Sequence, residues 1–301
     1  MTSIPEPFKD TPLTPVRQSR VRMGIFIGLS VSIGVILGGW AWIIMALGIT
    51  TAAFIELRAL CLLKEVRLSK FVFYPSMVSM TLVAHVDKIT YLWPVLMGAV
   101  GIGMFQWLFN QPRRTLADLS ASIFSLMYLG ILPVHAVLLR EEGINKGLPL
   151  LQQDGLHYLL LVVFIIIAAD VGAYYVGKRF GKRPLNRELS PKKTFEGAFG
   201  GLIVGTLVGM FGAFKIGFPL HDAYALSTLV IVAAALGDLV ESKIKREMGV
   251  KDSSGLLAGH GGVLDRIDSY VFAIPLAYYY IHWVVHHEGI WLEIISFAGK
   301  L

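Results

Sequence analysis

The chain has 301 residues, 55% hydrophobic and 16% charged, with a mean hydropathy of +0.64. Soluble domains run to about 45–50% apolar and about 25% charged, so the composition excludes an ordinary soluble globule and points to an all-α, polytopic integral membrane bundle. The net charge of +6 reads as basic residues flanking membrane spans rather than a nucleic-acid footprint, and the lone Cys61 supports neither a disulfide framework nor a zinc cluster.

Residues 1–22, with Pro5, Pro7, Pro12, Pro15 and scattered charge, read as a disordered tail. No small-residue cleavage site follows the first apolar run, so that run is taken as a retained span. Nine spans are predicted, at about 23–39, 41–57, 71–86, 89–109, 119–139, 157–177, 197–217, 223–241 and 269–286. Only Gly38, Gly39 and Trp40 separate the first two, so one long bent helix fits the same residues. With the N-terminus inside, only Lys88, Arg140, Lys146, Lys215 and Lys300 fall outside. Such a positive-inside bias favours nine spans, a cytoplasmic N-terminus and an outer C-terminus. With no transit peptide evident, the expected location is a bacterial inner membrane.

The chain divides into the tail, an N-terminal transmembrane region (23–150) and a C-terminal transmembrane catalytic region (151–301). Connections in the first region hold no polar cluster suited to chemistry, whereas later loops are rich in Asp, Lys, Ser and Gly. In the seventh span Gly197, Gly201, Gly205, Gly209 and Ala213 recur every fourth residue, a smooth stripe that lets another helix approach closely in lipid. It would serve a homodimer or internal packing equally.

Asp170 lies near the inner end of the sixth span, where an ionisable group is a functional candidate by default. The following Gly172 to Arg179, "GAYYVGKR", matches G-x-x-x-x-G-K but ends in arginine where a P-loop needs Ser or Thr, and it closes an apolar helix, so it is set aside. "SPKKTFEG", Ser190 to Gly197, places Lys192, Lys193 and Thr194 where a helix begins and free N–H groups favour phosphate. In "GDLVESKIKR", Gly237 to Arg246, helical spacing puts Asp238, Glu241, Ser242 and Lys245 on one stripe. An aspartate at the end of an apolar run needs a partner or a cation; Lys243 and Arg246 are the nearest candidates in sequence.

The last polar stretch, residues 251–269, is "KDSSGLLAGHGGVLDRIDS". Asp265 and Asp268 stand three apart, so both carboxylates fall on one face at the start of the ninth span. Hard carboxylate oxygens near phosphate-binding cations are a way to hold Mg²⁺ while leaving positions for substrate phosphate. Gly259, His260, Gly261 and Gly262 suit a tight loop whose N–H groups can approach an anion, although His260 taken alone is better explained by a neighbouring carbonyl than by catalysis.

Ser242 to Asp268 resembles the signature of the phosphatidate cytidylyltransferase family, also called CDP-diacylglycerol synthases. The matching positions are Ser242, Lys245–Arg246, Lys251–Asp252, His260–Gly261–Gly262 and Asp265–Arg266–x–Asp268. "SPKKTFEG" and "DVGAYYVGKRFGK" (Asp170 to Lys182) also look like family segments, so the resemblance covers roughly residues 157–286. One departure is Ala258, where the family usually has proline.

The resemblance implies an Mg²⁺-dependent enzyme that joins CTP to phosphatidate, releasing pyrophosphate and leaving CDP-diacylglycerol, with a second metal or a monovalent cation as a further candidate. Both reactants are polyanions, and each pair of like unit charges at about 4 Å costs about 4 kcal/mol at an effective dielectric near 20. Asp238, Asp265 and Asp268 are assigned to metal ions. Lys193, Lys245 and Arg246 join Asp238 and Asp265 as catalytic groups. Ser190, Lys192, Thr194, Ser242, Lys251, Asp252, His260, Gly261, Gly262, Arg266 and Asp170 are assigned to substrate binding. Two other readings use the same residues: a CTP-dependent polyprenol or lipid kinase, and an ion-coupled transporter with Asp170 and Asp238 as ligands. The second is disfavoured because the polar motifs gather in one half and at one border.

Overall fold

The structure is a computed structural model that describes residues 17–86, 89–109, 114–131, 133–143, 149–186, 189–254 and 261–285. Its helices, in order, are α1 (Arg17–Leu37), α2 (Gly39–Leu62), α3 (Lys70–His85), α4 (Leu92–Phe109), α5 (Leu116–Ser125), α6 (Val134–Glu141), α7 (Asp154–Phe180), α8 (Phe195–Lys215), α9 (Leu220–Glu247) and α10 (Leu264–Tyr280). A π-helical turn, Leu126–Ile131, follows α5, and another, Ile281–Val285, extends α10. The chain is an all-α polytopic membrane protein. Among the described residues six segments are long and apolar enough to cross a membrane: α2, α4, the α5–α6 run, α7, α8 and α9. The predicted stretches are helical among those residues, but α3 and α10 have only 16 and 17 residues, short for a membrane crossing.

The first two apolar stretches form two helices, not one bent rod. Gly38 sits at φ 63° and ψ −162°, a region open in practice only to glycine. The fully buried Arg140 of α6 fills the space beside it, donating from Nε to Val35 O (2.6 Å), from Nη2 to Ile36 O (3.2 Å) and from Nη1 to Gln153 Oε1 (3.1 Å). Carbonyls left open by the helix break are thereby satisfied.

Loops sort to two ends of the bundle. At one, Asp118 forms a capping box with Thr115 and also accepts the Arg67 N–H at 2.6 Å; this end also carries the segments preceding α8 and α10. At the other end His85 meets Glu141 (2.6 Å), His282 meets Glu142 (3.0 Å) and Tyr280 donates to Asp222 (2.7 Å). This grouping is the one required by the charge pattern of the sequence.

The glycine stripe is consumed internally. A Cβ at Gly201 would lie 2.6 Å from Ala169 O, and one at Gly209 would lie 2.8 Å from the Ile165 side chain. Gly205 faces Ile231 of α9 as well as Ala169. Helices α7, α8 and α9 therefore pack at backbone range, and the stripe offers no face to a second copy of the chain. Outward side chains such as Phe164, Leu207 and Phe211 are exposed, as lipid-facing groups should be. Helix α10 contributes to both apolar cores: Ala273, Ile274 and Tyr278 join the cluster built on α7 and α9, while Leu264 and Val271 join the one built on α2 and α3.

One element was not anticipated. Pro184–Asn186 (β1) and Ser190–Thr194 (β2) form an antiparallel hairpin, pairing Pro184 with Thr194 and Asn186 with Ser190. Glu196 holds its base by accepting the Lys182 and Arg183 N–H groups at 3.0 and 3.2 Å.

Candidate active site

Strand β2 runs directly into α8, and Thr194 caps the helix by accepting the Gly197 N–H at 3.1 Å. Lys192 and Lys193 thus precede the helix on a strand instead of lying within its first turn. Strand geometry turns alternate side chains to opposite faces, and Lys193 reaches across to α9, where its Nζ pairs with Asp238 Oδ2. The sequence-adjacent cations are engaged elsewhere: Lys243 pairs with Glu247 at 3.2 Å and Arg246 donates to Val250 O at 2.9 Å.

Gly237 is where α9 and α10 touch. A Cβ there would run into the carbonyl oxygen of Asp268, so only glycine permits the approach. That contact brings the Asp238 and Asp268 carboxyls within reach of a side-chain hydrogen bond. Asp268, 8% exposed, also accepts the Ser269 N–H at 2.6 Å. Asp170 of α7 lies within electrostatic range of Lys193 and Asp238. Three carboxylates thus share one lysine, an excess of negative charge that invites a cation.

The cluster borders a cavity of about 520 Å³ between α7, α8, α9 and the hairpin. Asp170, Ser190, Lys192, Lys193, Asp238 and Ser269 line its polar part, and Ile166, Ala169, Ile231 and Ala234 its apolar part.

Asp265 belongs to a second network. Its oxygens accept from Lys245 Nζ (2.7 Å), the Gly262 N–H (2.7 Å) and the Ser253 N–H (3.1 Å), while Ser253 Oγ lies 3.0 Å from both Asp265 and Glu56 and has one proton to share between them. A carboxylate has about four lone-pair positions, so protein donors leave at most one of them open. Lys245 also pairs with the fully buried Glu241 at 2.5 Å. Burial pushes the Asp265 carboxyl up, but hydrogen bonds with Glu241, Lys245 and Gly262 outweigh it and hold the group at about 2.

The predicted triple clamp of Asp238, Asp265 and Asp268 therefore separates into a pair and a single. Among the described residues no three His, Cys, Asp or Glu side chains surround one point as a metal cage would. Residues three apart on a helix diverge by about 60° around the axis, enough for α9 and the preceding loop to claim one and the α9–α10 contact the other.

The Gly262 amide is also spoken for. Gly261 sits at φ 76° and the Gly262 N–H serves Asp265, not a free anion. Ser242 is buried in α9, while Lys251, Asp252 and Arg266 are exposed at the same end. His260 and Ala258 lie outside the described residues.

Sequence reasoning missed Glu56. This α2 residue, 4% exposed, accepts from Ser254 Oγ (2.6 Å), Ser253 Oγ (3.0 Å), the Val263 N–H (2.9 Å) and the Leu264 N–H (2.8 Å). The sequence reading weighed the connections of the first region for polar clusters, whereas Glu56 lies within its second span. The available signal was a lone carboxylate in an apolar run.

Comparison with known proteins places the chain in a family. The cytidylyltransferase family profile matches residues 18–284. The chain is 41% identical to a phosphatidate cytidylyltransferase of Synechocystis over 59% of its own length and 67% of that protein's. It is 32% identical to the chloroplastic phosphatidate cytidylyltransferase 5 of Arabidopsis thaliana over 88% of its length and 71% of that protein's. A phosphatidate cytidylyltransferase of Aquifex aeolicus is 36% identical over 59% of this chain and 62% of the relative. With the profile running through both halves, from α1 to the end of α10, this chain belongs to the cytidylyltransferase family.

Proposed function

We propose that the chain transfers the cytidylyl group of CTP to phosphatidate, forming CDP-diacylglycerol and pyrophosphate. The observation that carries this reading is the Lys193–Asp238–Asp268 cluster at the edge of a cavity with apolar walls. A lipid with a charged head and a soluble polyanion have reason to meet at such a boundary.

Mg²⁺ fits the donor set, because this ion is commonly held by one or two carboxylates plus substrate phosphates instead of an all-protein cage. Asp238 and Asp268 would hold it, with Asp170 nearby. When bound, it supplies charge neutralisation along the triphosphate and at the leaving pyrophosphate. Lys193, released from Asp238 as phosphate arrives, takes up negative charge from the hairpin side. Lys192 lines the cavity, and the exposed Arg246, Lys251 and Arg266 add positive potential at the same end of the bundle.

A phosphatidate oxygen attacks the α-phosphorus of CTP, a new P–O bond forms, and the bond to the β-phosphate breaks, its electron pair leaving with pyrophosphate. The nucleophile is already ionised, so no general base is required and positioning dominates. Lys245 and Asp265 keep the α9–α10 loop in place. The site opens to the cytoplasmic side of a bacterial inner membrane on this reading, where nucleotide is supplied.

The test uses the full chain in detergent with phosphatidate and CTP labelled in the cytidine ring. Label should enter lipid with Mg²⁺ and stop doing so when the ion is chelated. Lipid labelled only from the γ-phosphate would identify a lipid kinase and overturn the proposal.

A further inference from the structure

Glu56 is a carboxylate from the first half of the chain planted in the signature segment of the second. Its four donors lie between residues 253 and 264, as many as 208 positions away in sequence. Two of them, the N–H groups of Val263 and Leu264, stand at the start of α10, where a helix leaves donors unsatisfied and favours negative charge. The other two are the hydroxyls of consecutive loop serines.

Gly262 is pressed against this arrangement: a Cβ there would overlap both the Ser253 hydroxyl and the Glu56 carboxylate. Ser253 in turn touches Asp265, which holds Lys245, which holds Glu241. A carboxylate on an apolar helix costs a few kcal/mol unless partnered, and here its partners are the backbone and serines of the loop.

We infer that Glu56 is a positioning residue for cytidylyl transfer, fixing the first turn of α10 and the Ser253–Ser254 loop so that Asp268 meets Asp238 and Lys245 stays on Asp265. The inference deepens the proposed function and rests on it for the reaction. Its structural half, the hold on Ser253, Ser254, Val263 and Leu264, stands separately. Glutamine keeps the size of Glu56 but removes the charge and places an NH₂ group toward two of the four donors. Residues that orient ligands without touching substrate lower activity by about 10- to 100-fold when altered.

The experiment compares full-length wild type, Glu56→Gln and Ser254→Ala in detergent, by steady-state kinetics and by amide hydrogen exchange resolved along the chain. Glu56→Gln should lower kcat by about 10- to 100-fold, with each KM within about threefold of wild type. Exchange should rise in residues 253–264 and stay unchanged in α7 and α8. Ser254→Ala, which leaves the Glu56 carboxylate and its backbone donors in place, should move both readouts the same way by less. Wild-type kcat in Glu56→Gln, unaltered exchange in 253–264, or exchange rising evenly through every helix would each overturn the inference. A wild-type chain that transfers no cytidylyl group would refute the proposed function instead, and the exchange pattern would still decide whether Glu56 holds the loop.

Discussion

Replacing Gly237 by alanine tests whether the α9–α10 contact builds the site. The added Cβ would intrude on the carbonyl oxygen of Asp268, about 1 Å inside the ordinary C···O contact of about 3.3 Å. Neither partner is a flexible side-chain tip. The two helices must therefore part by nearly that distance, carrying Asp268 away from Asp238. Overpacking of this kind destabilises by about 1–3 kcal/mol, while a misplacement of about 1 Å in reacting groups can lower the rate by about 10²-fold. The rate should thus fall much further than the folded fraction. The assay is cytidine-label incorporation into lipid, with thermal unfolding of the same preparation in detergent. Gly48→Ala, whose Cβ would meet nothing within 4 Å, is the control and should behave as wild type. A Gly237→Ala protein with wild-type kcat would show that the close approach does not set the catalytic geometry.

Asp238→Asn and Asp268→Asn should each lower kcat by about 10²–10³-fold, measured by the same lipid labelling, with membrane insertion intact; near-normal activity in either would remove that residue from the metal assignment. Lys245→Met leaves the buried Glu241 and Asp265 without their shared cation, and loss of one partner of a buried ion pair costs about 3–5 kcal/mol; the midpoint of thermal unfolding should fall markedly. Gly38→Ala forces a side chain into a glycine-only conformation and to 2.6 Å from Arg140 Nη2, which should destabilise by about 1–3 kcal/mol. Because that position lies at the opposite end of the bundle, the kcat of the folded fraction should be unchanged.

Hydropathy and charge are sums over neighbours along the chain, which is why membrane class, the helical stretches, the grouping of loops and the glycine-lined packing of α8 were legible from residues alone. The family signature was legible for a related reason: its spacing is confined to one stretch, Ser242 to Asp268. What a carboxylate binds is a different kind of fact. Asp265 and Asp268 look equivalent on a helical projection, yet one is held by Lys245, Ser253 and Gly262 while the other faces Asp238. Asp238 ignores the cations beside it in sequence and takes Lys193, 45 residues away. Glu56 finds its donors about 200 positions downstream. Such pairings depend on which helices pack together and how closely, and that distance is decided by the three-dimensional contact at residues like Gly237, where the absence of one carbon atom lets two backbones meet.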